Sequence, residues 1–247
     1  MIKQVFFTVA ESKRLLARAV VQMPEVRRAY ADGMVVVATG TTNAFVLEEL
    51  LGRPIEKRAY RSGIVTPAKP ERLPGPEPAK IPDAVFRKGE LVPDLDRFTA
   101  VPQMQTGDVF IKGANALDYD RKIAGVLIGG NNGGTIANVY GWTIGRRVKL
   151  ILPIGLEKLV CGDILASCRK SVEMDGGLPL YPVTTGTIVT EIEALKMLAG
   201  VEATLLASGG VAGAEGSVRL LVEGDAEQVE RALALAKSVQ GEPRYLL

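Results

Sequence analysis

Residues suited to holding an anion gather at three glycine-bearing loops of this chain. In DGMVVVATGTTNAFVLEELLG, Asp32 to Gly52, an apolar run from Met34 to Ala38 gives way to Gly40, Thr41, Thr42 and Asn43, and an amphipathic segment follows. Strand, tight loop and helix in that order aim several backbone N–H groups and two hydroxyls at one spot beside the positive end of a helix dipole. Such a spot suits an anion, and a phosphate first. The same residues also fit a plainer role, with Gly40 making the turn and Thr42 or Asn43 capping the helix. A second apolar run, Val109 to Ile111, ends at Lys112 and Gly113. A third, Val126 to Ile128, opens into Gly129, Gly130, Asn131, Asn132, Gly133 and Gly134, followed by Thr135. That last loop has the glycine spacing of a nucleotide P-loop, but Ile136 follows Thr135 and the lysine is missing, which argues against a nucleoside triphosphatase. It also fails the dinucleotide spacing.

The chain has no histidine. That removes Ser-His-Asp and Cys-His nucleophile systems and histidine metal sites together, leaving carboxylates, lysines, tyrosines, thiols and backbone donors for any chemistry. Cys161 and Cys168 alone are too sparse for a zinc site and read as small packing residues, so no metal and no cofactor is expected. At 247 residues, 47% hydrophobic and 23% charged, the composition is that of an ordinary globular protein long enough to bury a sizeable core. Its 30 basic and 28 acidic residues nearly balance, which gives no support to a nucleic-acid surface. No apolar run approaches the roughly 18 residues of a spanning helix, and MIKQVFFTVAESKR lacks the pattern of a signal peptide. No membrane association and a cytoplasmic location are the expectations.

The loops need a scaffold, and the sequence sketches one. Thr8 and Glu11 form a capping box that opens a helix through ESKRLLARAVVQM, Pro24 starts a second helical piece, and Gly33 stops it before the first loop's strand. A helix runs from Asn43 to Leu51, and Gly63 to Thr66 reads as a strand. Pro67, Pro70, Pro74, Pro76, Pro78 and Pro82 then exclude helix and central strand, making 66–82 a long surface loop, read as an extended excursion before a functional lid. DAVFRKGELV reads as a hairpin turning at Lys88 and Gly89. Strands alternating with helical segments and ending in glycine loops indicate an α/β fold with a mainly parallel sheet, helices on both faces and ligands at strand carboxyl ends. From about residue 177 the pattern changes: strand LPLYPV, a helix capped by Thr190 with Glu193, strands VEATLLAS and SVRLLVEG around GGVAGAEG, and a last helix from Asp225 to Val239. This reads as a small α+β, ferredoxin-like domain, 177–247, behind a main domain of residues 1–176.

DGMVVVATGTTNAFVLEELL resembles the opening phosphate loop of ribose-5-phosphate isomerase A and its relatives in the NagB/RpiA/CoA-transferase-like superfamily. There a strand runs into a glycine, a threonine and serine pair, and a helix. VFIKGANALD resembles the family's strand-end loop, which reads Asp-Gly-Ala-Asp-Glu in the isomerase and Gly-Ala-Asp in the methylthioribose-phosphate isomerase and initiation-factor-2B branch. GGNNGGTIAN resembles the glycine loop that follows, and LPIGLEKLV the strand leading to a family lysine, with Lys158 as counterpart. GGLPLYPVTT and TEIEALKMLAGVEATLLAS resemble segments of the isomerase's small domain.

The resemblance implies an RpiA-like main domain in which Gly40, Thr41, Thr42 and Asn43 hold a phosphate. Lys112, Gly113, Asn115 and the loop from Gly129 to Thr135 would face the reacting end, and Lys158 would supply positive charge. It also exposes departures. Aldose–ketose isomerisation needs a carboxylate base, and the positions that carry acids in the isomerase are Ala114, Asn115 and Ala116 here. Asn115 hydrogen-bonds a hydroxyl but takes no proton. Asp118 or Asp120 would have to substitute as base, although acids after such a loop are commonly solvated or capping. The expected function is binding, and with a substitute base isomerisation, of a phosphorylated sugar or related small metabolite by a homo-oligomer. The alternatives are a non-catalytic ligand sensor or assembly subunit and, with Glu157 as nucleophile, a CoA-dependent acyl transferase.

Overall fold

A computed structural model describes residues 1–247. In chain order the elements are β1 (Ile2–Phe7), α1 (Val9–Gln22), α2 (Pro24–Asp32), β2 (Met34–Val37), α3 (Thr41–Leu51), β3 (Ala84–Arg87), β4 (Glu90–Leu91), α4 (Arg97–Ala100), β5 (Val109–Ile111) and β6 (Ala116–Asp118). There follow β7 (Ile123–Leu127), α5 (Gly134–Gly145), β8 (Lys149–Pro153), α6 (Ile164–Glu173), β9 (Leu180–Val183), β10 (Thr187–Val189), α7 (Glu191–Ala199), β11 (Glu202–Ser208), β12 (Val218–Glu223) and α8 (Ala226–Val239). The fold is mixed α/β with eight helices. No helix is long and apolar enough to cross a membrane.

A six-stranded sheet in the order β10-β8-β5-β2-β3-β4 forms the centre. Its first four strands run parallel, β3 runs antiparallel to β2, and β4 pairs antiparallel with β3. β2 is buried along its whole length, as expected of a strand covered on both faces, with Val35, Val36 and Val37 opposite Val109, Phe110 and Ile111. These valines belong to a core cluster of 52 buried residues reaching from β1 to α8. α1 packs on α3 and α7. Arg14 of α1 fixes its side of that packing through ion pairs to Glu48 and Glu49 of α3 at 2.5 and 2.9 Å and to Glu242 at 2.9 Å. Two antiparallel three-stranded sheets complete the fold, β6-β7-β9 and β1-β12-β11.

Local signals behave as their chemistry requires. Thr8 and Glu11 cap α1 reciprocally, Pro24 sits in the first turn of α2, and the hairpin turns at Lys88 and Gly89, both at positive φ. Long-range pairing departs from expectation. β7 does not enter the parallel sheet; it runs antiparallel between β6 and β9, because the short β6 hairpins directly onto it. LPLYPV is a strand, but it pairs with β7, and β10 extends the central sheet beside β8, so neither joins the small C-terminal layer. The strand that does join it is β1, paired with β12. Residues 63–66 form no strand: Gly63 has φ of +59°, Pro67 follows, and no neighbouring strand is paired with them.

Candidate functional site

β2 ends at Val37, and the loop beyond it is held from three sides. The Asp83 carboxylate accepts from the Thr39 N–H at 2.7 Å, and Gly40 donates to the Tyr60 carbonyl at 3.2 Å. The buried Tyr60 hydroxyl donates to the Val37 carbonyl and accepts from the Ala84 N–H at 3.0 Å, tying the ends of β2 and β3 together. Asn43 ties β2 to β5, its Nδ2 donating to the carbonyls of Ala38 at 2.7 Å and Ile111 at 3.1 Å. Gly40 is the N-cap of α3 and offers no side chain to it, and the amides of Thr41, Thr42 and Asn43 have no partner within the chain. An eleven-residue helix with its first amides open is a site of positive potential.

That end of α3 opens into a cavity of about 610 Å³ at the carboxyl ends of β2, β5 and β7. Lys13 of α1, Arg97 of α4, Lys112, Lys158 and Arg244 all line it, and Glu71 is the one acid among the lining residues. Lys13 Nζ donates to Thr41 Oγ1 at 3.2 Å. Burial, with Lys158 nearby, lowers its pKa to about 8 against the opposing pull of Glu157. Lys112 Nζ donates to the Gly113 carbonyl at 3.0 Å, and burial, followed by the charge of Arg97, lowers it to about 8 as well. Arg97 forms an ion pair with Asp83 at 3.0 Å and keeps a buried, unpartnered Nε. Glu71 is engaged by Arg244 at 2.6 Å. A pocket with this surplus of positive charge, two of its lysines desolvated, has the electrostatics that favour an anion.

Most residues singled out in the three loops converge here: Gly40, Thr41, Thr42, Asn43, Lys112, Gly113, Asn115, Gly129, Gly130, Gly134, Thr135 and Lys158 all line the cavity. Two of them are committed elsewhere. Both amide hydrogens of Asn43 are spent on carbonyls, leaving its buried Oδ1 free, so its side chain cannot donate to a phosphate. Asn115 Oδ1 accepts from the Leu127 N–H at 3.0 Å, which fixes β6 against β7. Asn131, Asn132 and Gly133 lie outside this cavity.

The acids proposed as bases are outside it too. Asp118 is buried at the end of β6, where it accepts from the Arg121 N–H at 3.1 Å, and Asp120 is exposed in the turn that follows. A strand rises about 3.3 Å per residue, which carries Asp118 roughly 10 Å down β6 from the pocket-lining Asn115. Glu157 is half-buried but not among the lining residues; it sits beside Lys13 and the fully buried Glu191. Burial, then the charge of Glu157, raises Glu191 to about 7, while the Ser12 hydroxyl and the Leu156 N–H, the latter at 2.9 Å, oppose this.

The cations missed by the sequence reading come from elements distant in the chain. Lys13 did carry a signal: Leu16, Ala17 and Val20, three, four and seven positions on, are buried, so a charged residue stands on the apolar stripe of α1. Arg97 and Arg244 carry none. The proline loop was read as an excursion, yet Thr66, Pro67, Pro70 and Glu71 fold back to line the cavity beside Tyr245 to Leu247. No protein-family model, curated protein or solved structure matches the chain.

Proposed function

We propose that this protein binds a small phosphorylated metabolite, with the phosphate on the first turn of α3 and the organic part in the strand-end cavity. The observation that carries the reading is the trio of open amides at Thr41, Thr42 and Asn43 with the Lys13 ammonium on the Thr41 hydroxyl, inside a cavity lined by five cations and one acid. The order of the three loops supports kinship with the ribose-5-phosphate isomerase group, and hence a sugar phosphate as ligand. Binding or sensing is favoured over the isomerase's own chemistry, because Asp118 and Asp120 lie outside the cavity and Glu71 is paired with Arg244. Glu157 does not line the cavity either, which counts against acyl transfer through it. One observation favours catalysis: Lys13 and Lys112, each lowered to about 8, lie in the range where a lysine serves as a general base.

Thermal unfolding with inorganic phosphate and with ribose 5-phosphate tests the reading, since ligand at 100 times its dissociation constant stabilises the folded state by about 2.7 kcal/mol. A rise in midpoint that disappears in Lys13→Met is expected; no rise with either compound rejects the site. Ribulose 5-phosphate formation, followed in the same samples, separates a binder from an enzyme: turnover near 10 per second or more would mean a lysine acts as base.

A further inference from the structure

A second cavity, of about 730 Å³, adjoins the first. Leu165, Cys168 and Val172 of α6 and Leu178, Leu180 and Tyr181 at β9 give it an apolar stretch, with Asn131 and Arg169 as its polar side chains. Val172 is 75% and Leu178 47% exposed, so apolar surface stands uncovered here at a real cost. Ile128, Gly129 and Gly130 line both cavities and form the junction between them. Neither glycine has a positive φ, so the backbone does not require glycine at either position. A Cβ on Gly129 would meet only Leu178 Cδ2, at 4.0 Å, so the protein has room for a side chain there that the sequence leaves out. Glycine at both positions leaves that part of the junction between the cavities without a side chain.

We propose that the two cavities form one bipartite site for a phosphomonoester with an extended apolar arm. The phosphate sits at α3 and the arm crosses Gly129 and Gly130 to lie against Leu165, Val172, Leu178 and Tyr181. The inference rests on the phosphate reading above and narrows it. The first cavity alone is large enough for a small ligand. The second would offer a sugar's hydroxyls few partners, whereas burying hydrocarbon there is favourable.

The test is titration calorimetry with inorganic phosphate, methyl phosphate and straight-chain alkyl monophosphates up to octyl. Affinity should stay level for the shortest chains and then tighten about fourfold for each methylene that passes the junction. Val172→Asp, on an exposed face of α6, should abolish the gain and leave inorganic phosphate unchanged. Gly129→Ala should weaken the long chains by narrowing the passage. Failure of inorganic and methyl phosphate to bind would overturn the phosphate reading itself. Binding that does not vary with chain length would overturn the bipartite site alone, as would a gain that survives in Val172→Asp.

Discussion

Helices α1, α7 and α8 begin with reciprocal side-chain caps, Thr8 with Glu11, Thr190 with Glu193 and Asp225 with Gln228. Helices α3 and α5 begin at Gly40 and Gly133 with no side chain on their first amides, and residues of both first turns line the cavity. A capping side chain is worth about 1 kcal/mol. The chain lacks that stabilisation at α3 and α5, whose ends face the pocket, and also at α2, whereas α4 keeps a reciprocal Asp96–Thr99 cap although Arg97 of its first turn lines the cavity. Bare ends at α3 and α5 and the desolvated Lys13 and Lys112 coincide at the cavity proposed to take a ligand.

The largest expected effect tests whether the capped ends are as settled as they look. Glu191, in the first turn of α7, has a folded pKa near 7 against 4.5 for the free group. Its contribution to stability is full below about pH 4.5 and is lost as pH rises through 7. Glu191→Gln should therefore match the parent at pH 4 and exceed it by up to about 3 kcal/mol at pH 8, read from urea unfolding at both pH values. Equal stability at pH 8 would mean the carboxyl ionises without cost. Elsewhere in the cavity, beyond β5, Lys112→Met should weaken phosphate by about 10- to 100-fold, equivalent to roughly 1.5 to 3 kcal/mol for a charged hydrogen bond. It should also raise the melting temperature of the free protein at pH 7, because burial disfavours the charged lysine. A fall in melting temperature would show that Lys112 supports the fold.

Gly40→Asp converts a bare end into a capped one. The backbone there is extended at φ 168°, and a Cβ meets only Asn43 Cβ at 3.9 Å, so the substitution fits. It should add a few tenths of a kcal/mol of stability and weaken phosphate by at least about tenfold, because the carboxylate takes the open amides. Undiminished binding in calorimetry would move the anion away from α3. Smallest is Thr190→Ala, expected to cost about 1 kcal/mol in unfolding experiments while leaving phosphate affinity unchanged.

The helix starts were legible because a cap is a local pattern, with Thr190 and Glu193 naming each other three residues apart. The strand, glycine loop and helix from Met34 to Leu51 were legible for the same reason. What sequence could not supply was pairing across distance. β1 has only Val5 and Phe7 buried and was not recognised as a strand, because its partner β12 lies at the far end of the chain. β7 looked like a parallel strand, since its own residues do not reveal which neighbours it will meet. Lys13 and Arg97 reach the site from α1 and α4, and only tertiary packing brings them to the loop. Asp118, three residues past Asn115, lies at the far end of β6 and does not line the cavity, a placement that sequence spacing alone did not reveal.

The pairing of β1 with β12 also bears on how the molecule is made. Met1 and Gly224, whose backbones are hydrogen-bonded, stand 223 positions apart. At a synthesis rate of about 5 to 20 residues per second, β1 waits roughly 10 to 45 seconds on the ribosome before its partner emerges. Through that interval its edges and the apolar side chains of Val5 and Phe7 lack the sheet that covers them in the finished protein, so β1 stays open to wrong pairing until β12 emerges.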